Sequence, residues 1–171
     1  MKEILYNYDN LSTNDIDEVV IRVKGLLIND KDEIILGYSD DKYQFPGGHL
    51  EFLETLINCL KREIEEETGI VLTDEKPILF QKITHYSKNY HNRGVNRKNI
   101  IYYYLVKTNK KIDLNNTKYD EIERNGNFCI KIIKLKKVEK ELDKNAKKYK
   151  GNDVITEEMK EVIKEYYKIF R

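Results

Sequence analysis

The chain has 171 residues, and its 31 Lys and Arg nearly balance 30 Asp and Glu, for a net charge of +1. That length suits one domain whose core needs neither disulfide nor structural metal, and 11% aromatic residues argue against disorder. There is no apolar run near the roughly 18 residues of a membrane span, no repeat, and only two separated cysteines, Cys59 and Cys129; membrane protein, secreted miniprotein, collagen and coiled coil are excluded, and the balanced charge exerts no global pull on nucleic acid.

Met1 to Asp17 is polar and mixed and reads as a lead-in to a domain over 18–171. It lacks the apolar core and cleavage site of a signal peptide, which together with the cysteine usage fits a cytoplasmic protein. Glu18 to Ile28 is β-branched and apolar, the composition of a strand. Asn29 to Asp32 is a turn, and Glu33 to Tyr38 returns as a second strand. Tyr43 to Phe45 predicts a short strand stopped by Pro46, Gly47 and Gly48. Thr55 to Thr68 predicts a helix, with Gly69 as its C-terminal stop. Ile78 to His85, Asn99 to Thr108 and Phe128 to Leu135 read as further strands, and Asn109 to Asn127 as polar loop. A helix is expected over Val138 to Ala146. Another is expected over Thr156 to Phe170, where Met159, Val162, Ile163, Tyr166, Tyr167 and Phe170 recur at helical spacing behind Thr156 as N-cap. The order implies an α+β or α/β protein with a mixed sheet sandwiched by helices, not regularly alternating βα units.

Chemistry concentrates between Gly48 and Ile70. Glu63, Glu66 and Glu67 stand at i, i+3 and i+4, so their side chains are neighbours on one helix face. Three like charges there weaken an isolated helix, but they suit a hard divalent cation that takes oxygen ligands. Leu56, Ile57, Leu60 and Ile64 form an adjoining apolar arc that can dock the helix on a sheet. Gly47 and Gly48 let a loop lie close beneath the acidic patch, and Glu54 with Arg62 can clamp that loop to the helix. A solvated face in a charge-rich chain is the plain alternative. The spacing G-x5-E-x7-R-E-I-x-E-E-x-G-I is complete, however, and its chance occurrence in a chain this long is below about 1 in 10⁵ at ordinary residue usage.

Gly48 to Ile70 resembles the Nudix box, the signature of the Nudix hydrolase superfamily, and the preceding Phe45-Pro46-Gly47-Gly48 resembles that family too. The resemblance implies an α/β/α sandwich with a mixed sheet. It implies hydrolysis of a nucleoside diphosphate linked to another group, using Mg²⁺ or Mn²⁺. Carried onto this sequence, Glu63, Glu66 and Glu67 are the expected metal ligands, with the Gly48 or Gly47 carbonyl within reach of the ion. Glu63 or Glu66 is the base for water, Arg62 and Glu54 are the buttressing pair, and Gly69 ends the helix. Some members supply a further carboxylate from a later loop, a place held here by Glu121 and Glu123.

Residues that choose the substrate are less sharply marked. Arg22 lies mid-strand among valines and isoleucines, where a charge faces outward, pairs or reaches a phosphate. The segment 85–99 interleaves Lys88, His91, Arg93, Arg97 and Lys98 with Tyr86 and Tyr90; it is either a solvated basic loop or a cover for phosphates with an aromatic for base stacking. We take Arg22, Tyr86, Arg93 and Arg97 as candidate substrate contacts. Tyr102, Tyr103 and Tyr104 alternate faces of one strand, and His49 is either a substrate contact or a surface residue. The expected partner is a small-molecule nucleotide, with no membrane and no nucleic acid. The C-terminal helix packs on its own sheet or on a second subunit of a homodimer. A catalytically idle nucleotide-binding regulator and an RNA 5′-pyrophosphohydrolase are the competing functions, and Lys, Asn and Ile usage suggests an AT-rich bacterial genome.

Overall fold

A computed structural model describes residues 1–119, 121–149 and 153–171, with the side chains at 122, 123 and 153 outside the description. Its elements are β1 (Lys2–Tyr6), β2 (Glu18–Ile28), β3 (Glu33–Ser39), β4 (Lys42–Gln44), α1 (Leu56–Thr68), β5 (Ile78–Ser87), β6 (Arg97–Lys107), α2 (Glu121–Asn125), β7 (Cys129–Lys134), α3 (Leu135–Lys148) and α4 (Asp153–Phe170).

The strands form a mixed sheet in the order β1-β5-β6-β2-β3-β4, with β7 also on β3. β1 runs parallel to β5 and β6 parallel to β2; β5 and β6 are antiparallel. Ile35 pairs with both Leu27 and Ile132, and Tyr38 with both Tyr43 and Cys129. β2 and β4 therefore share one edge of β3, and β7 takes the other.

Because strand side chains alternate, the sheet buries two separate cores. Val23 and Leu27 face α1 and pack with Leu60, Ile64, Ile70 and Val106. Leu26 and Ile28 face the other way and pack with Ile83, Tyr103, Val138, Leu142, Met159, Val162 and Ile163, under α3 and α4. Each buried Leu or Ile contributes about 1.5–3 kcal/mol. The result is an α/β/α sandwich in which α4 lies on its own sheet.

Three local readings change. Residues 2–6, inside the supposed lead-in, form β1: Ile4 is half-buried and Lys2 reaches Glu161 and Glu165 of α4 at 2.5 and 3.2 Å. Within the expected loop 109–127, Glu121–Asn125 is a short helix. α4 begins at Asp153, so Thr156 is a buried residue of its first turns and not the cap. No glycine or proline after Gly151 stops the helix from starting earlier.

Candidate active site

The loop from Phe45 to Glu54 is laid along β2 by its own backbone. Gly25 N–H donates to the Pro46 carbonyl at 2.8 Å, Val23 N–H to the Gly48 carbonyl at 3.0 Å, and Leu50 N–H to the Ile21 carbonyl at 3.0 Å. This course leaves no room for side chains at the two glycines. Gly47 has φ +131°, and a Cβ there would lie 2.1 Å from the Val23 carbonyl oxygen. A Cβ on Gly48 would sit 2.4 Å from both carboxylate oxygens of Glu63. The Gly48 carbonyl is engaged by β2, whereas the Gly47 carbonyl accepts a hydrogen bond from Lys24 Nζ.

Helix α1 opens on Thr55, whose hydroxyl accepts from Asn58 N–H at 3.2 Å, and closes on Gly69 in the left-handed region at φ 69°. Its apolar arc fixes the rotation that turns Glu63, Glu66 and Glu67 toward the loop. Arg62 is the hub. It holds Glu54 by two bonds of 2.9 Å, Glu63 at 2.8 Å, Glu66 at 3.1 Å and the His49 carbonyl at 3.1 Å. Bonding to Glu54 foremost raises the Arg62 pKa above its already high value, and Arg62 foremost holds the Glu54 carboxyl below its ordinary value. Burial pushes Glu63 up, against the pull of Arg62 and Lys24. Burial likewise pushes Lys24 down, opposed by Glu67. Cys59, which donates to the His49 carbonyl at 3.3 Å, has its thiol pushed by burial up to about 12 and is chemically inert.

These groups line one cleft of about 510 Å³, walled by Arg22, Lys24, Gln44, Gly47, Gly48, His49, Glu51, Arg62, Glu63, Glu66, Glu67 and Lys118. Arg22 places Nε and Nη2 3.2 and 3.0 Å from His49 Nε2. The other expected substrate contacts lie elsewhere. Arg93 and Arg97 bind Glu18 at 3.1 and 2.8 Å, Arg97 stacks on Tyr90 at 3.9 Å, and Tyr86 lies under Lys98. By register Arg97 pairs Glu18, four residues before Arg22, or about 13 Å along the strand. Glu121 is exposed, and the Glu123 side chain falls outside the described residues.

Lys24, Gln44 and Lys118 line the cleft without having been singled out. Lys24 follows Arg22 at the strand period of two, a signal present in the sequence. Lys118 is brought in by a long-range bond, its N–H donating to the Glu66 carbonyl at 2.8 Å.

The donor set fits a hard divalent cation: three carboxylates on one helix face, against a glycine backbone that Glu63 touches directly. Among the described residues no three His, Cys, Asp or Glu side chains are arranged as a metal cage; Arg62 bridges Glu63 and Glu66 instead. Among them, too, no helix is long and apolar enough to cross a membrane.

The NUDIX domain family model matches residues 19–150, so the chain belongs to the Nudix hydrolase family, enzymes that generally hydrolyse nucleoside diphosphate derivatives with a divalent metal. Solved structures share the fold. A MutT Nudix hydrolase from Burkholderia pseudomallei superposes with a TM-score of 0.52 at 19% identity, covering 69% of this chain and 84% of that one. The MutT protein of Methanosarcina mazei Go1 gives 0.51 at 20% identity, over 74% and 83%. A MutT protein from Bacillus halodurans gives 0.52 at 16% identity, over 71% and 72%. In a comparison by sequence, no curated protein matches the chain.

Proposed function

We propose that the protein is a Mg²⁺- or Mn²⁺-dependent pyrophosphohydrolase. It would cleave the phosphoanhydride of a nucleoside diphosphate joined to a further group, such as a phosphate or a sugar. One observation carries this reading: Glu63, Glu66 and Glu67 share a single cleft with Arg22, Lys24 and Lys118. Carboxylates alone repel a diphosphate, and cations alone only bind it. Together they suit a substrate whose charge is met partly by protein and partly by metal.

Glu63, Glu66 and Glu67 would hold the ion, which supplies charge neutralisation and a more acidic bound water. Glu63 or Glu66 would accept the proton of the attacking water. Arg22 and Lys24 would take phosphate oxygens, work that is positioning and electrostatics more than covalent chemistry. Arg62 and Glu54 act through the others, by fixing the loop to α1.

The test is a panel of nucleoside triphosphates, nucleotide sugars and dinucleoside polyphosphates with Mg²⁺, read by phosphate release with and without added pyrophosphatase. Metal-dependent turnover of a small nucleotide is expected. Binding without turnover would indicate an idle regulator, and activity confined to 5′-triphosphorylated RNA would indicate the RNA-processing reading; either outcome removes the proposal.

A further inference from the structure

A second cavity, of about 270 Å³, opens on the face of the sheet covered by α4, between β1, β5 and the start of that helix. Its walls are Tyr6, Tyr8, His85, Val154, Glu157 and Glu158. Resting on the pyrophosphohydrolase reading above, we infer that this cavity seats the base of the substrate nucleotide and selects guanine.

Register ties the cavity to the catalytic cleft. Tyr6 pairs with His85, His85 with Asn99, and Arg22 sits two residues beyond Val20, the partner of Asn99. Ile83 and Ile101, the neighbours of His85 and Arg22 in these ladders, belong to the core beneath α4. Arg22 and His85 therefore face the same side of the sheet. Two strand spacings separate β2 from β5, about 10 Å, which is the reach of a nucleotide from its outer phosphate to its base.

The walls say what kind of group fits. Tyr6 stacks on His85 at 4.9 Å and 23° and on Tyr8 at 6.1 Å and 29°. Tyr8 is 85% exposed, so the column ends in an open ring. Aromatic rings in a column extend by adding a flat ring, whereas a quaternary ammonium needs rings set around it as a box. Of the two carboxylates beside the column, Glu157 is held by Lys160 at 3.1 Å, and Glu158 disfavours a phosphate and calls for N–H donors.

Glu158 is held firmly for that purpose. Its Oε2 lies 2.5 Å from His85 Nε2, and its Oε1 accepts from the Tyr103 hydroxyl. A carboxylate has about four lone-pair sites, so acceptor capacity remains. Asn99, across from His85, keeps its Oδ1 buried with no hydrogen-bond partner among the described residues. Of the polar groups on the cavity's walls, Glu157 and Glu158 can only accept when ionised, while the Tyr6 and Tyr8 hydroxyls can also donate. Guanine presents N1–H beside its amino group and matches a carboxylate with two parallel donors, while uracil offers one N–H between two carbonyls.

The test compares guanosine, inosine, adenosine and uridine 5′-triphosphates and nucleotide sugars with Mg²⁺, on the wild type, Tyr8→Ala and Tyr8→Trp. Guanosine is expected to exceed inosine and uridine by about tenfold or more in kcat/KM. Tyr8→Ala should raise KM about tenfold at unchanged kcat, and Tyr8→Trp should restore it. A parallel calorimetric titration with GMP and UMP, without metal, separates the two readings. Selective GMP binding without turnover of any nucleotide would retain the base site and sink the pyrophosphohydrolase. Equal GMP and UMP affinity, or selectivity unmoved by Tyr8→Ala, would overturn the base site whatever the turnover.

Discussion

Arg62 and Glu54 meet fork to fork, with Nε and Nη2 each 2.9 Å from a different carboxylate oxygen. The pair joins the end of the glycine loop to the middle of α1. The same guanidinium carries on to Glu63 and Glu66, so one side chain sets both the loop and two of the acidic residues. A planar guanidinium can do this and a point charge cannot. Arg62→Lys should therefore keep the fold but lower kcat at least tenfold, with a loss of about 2 kcal/mol in stability, read by steady-state kinetics and urea denaturation. An activity equal to wild type would show that the clamp is dispensable.

The two loop glycines should respond differently to the same methyl. At Gly48 the clash is with the far end of Glu63, which can swing aside. Gly48→Ala should melt within a few degrees of wild type yet lose most of its turnover, because Glu63 has moved. At Gly47 the clash is with the Val23 backbone at a positive φ, and neither can yield. Gly47→Ala should unfold at a markedly lower temperature. Equal melting temperatures for the two variants would refute this account of the loop.

Glu66→Gln and Glu67→Gln remove charge with little change of shape. Turnover should fall by two orders of magnitude or more, since each is assigned to the ion. Glu67 is 3% exposed, and a neutral amide relieves the cost of burying its charge beside two like charges. Its variant should melt at the same temperature or higher. Scanning calorimetry beside initial rates checks both halves; wild-type rates in both variants would reject the assignment.

A pH effect arises far from the cleft. Burial raises the Glu75 carboxyl, but Lys110, Thr108 and the Thr73 backbone donate to it and bring it from 4.5 down to about 2. A depressed folded-state pKa stabilises above the unfolded value and loses that contribution as pH falls through the folded one. At about 1.4 kcal/mol per unit, the contribution is at most about 3.5 kcal/mol before solvent screening reduces it. Glu75→Gln should thus be less stable than wild type at pH 7, with the gap closing between pH 4.5 and pH 2. Urea denaturation across that range is the check, and a gap that stays constant with pH would contradict it.

What the sequence reveals of this molecule is set by range. β2, α1 and the Glu54–Arg62 clamp are legible because alternation, capping and box spacing act over a few residues. β1 is not, because five residues with alternating exposure look like any polar lead-in until β5 supplies a parallel partner. Lys118 reaches the cleft through its backbone bond to Glu66, 52 residues away by the numbering, and no local pattern announces that. Arg93 and Arg97 show the opposite: a basic loop reads as a phosphate cover, but Glu18 takes both cations at the far end of the strand.

The central assignment is that Glu63, Glu66 and Glu67 hold a divalent ion beside the glycine loop. Mn²⁺ titration followed by electron paramagnetic resonance, with a non-hydrolysable nucleotide present, tests it most directly on wild type and Glu66→Gln/Glu67→Gln. Saturable binding by the wild type, weakened at least tenfold in the double variant, is the result this account predicts. Absence of bound Mn²⁺ in the wild type, or equal affinity in both proteins, would contradict it.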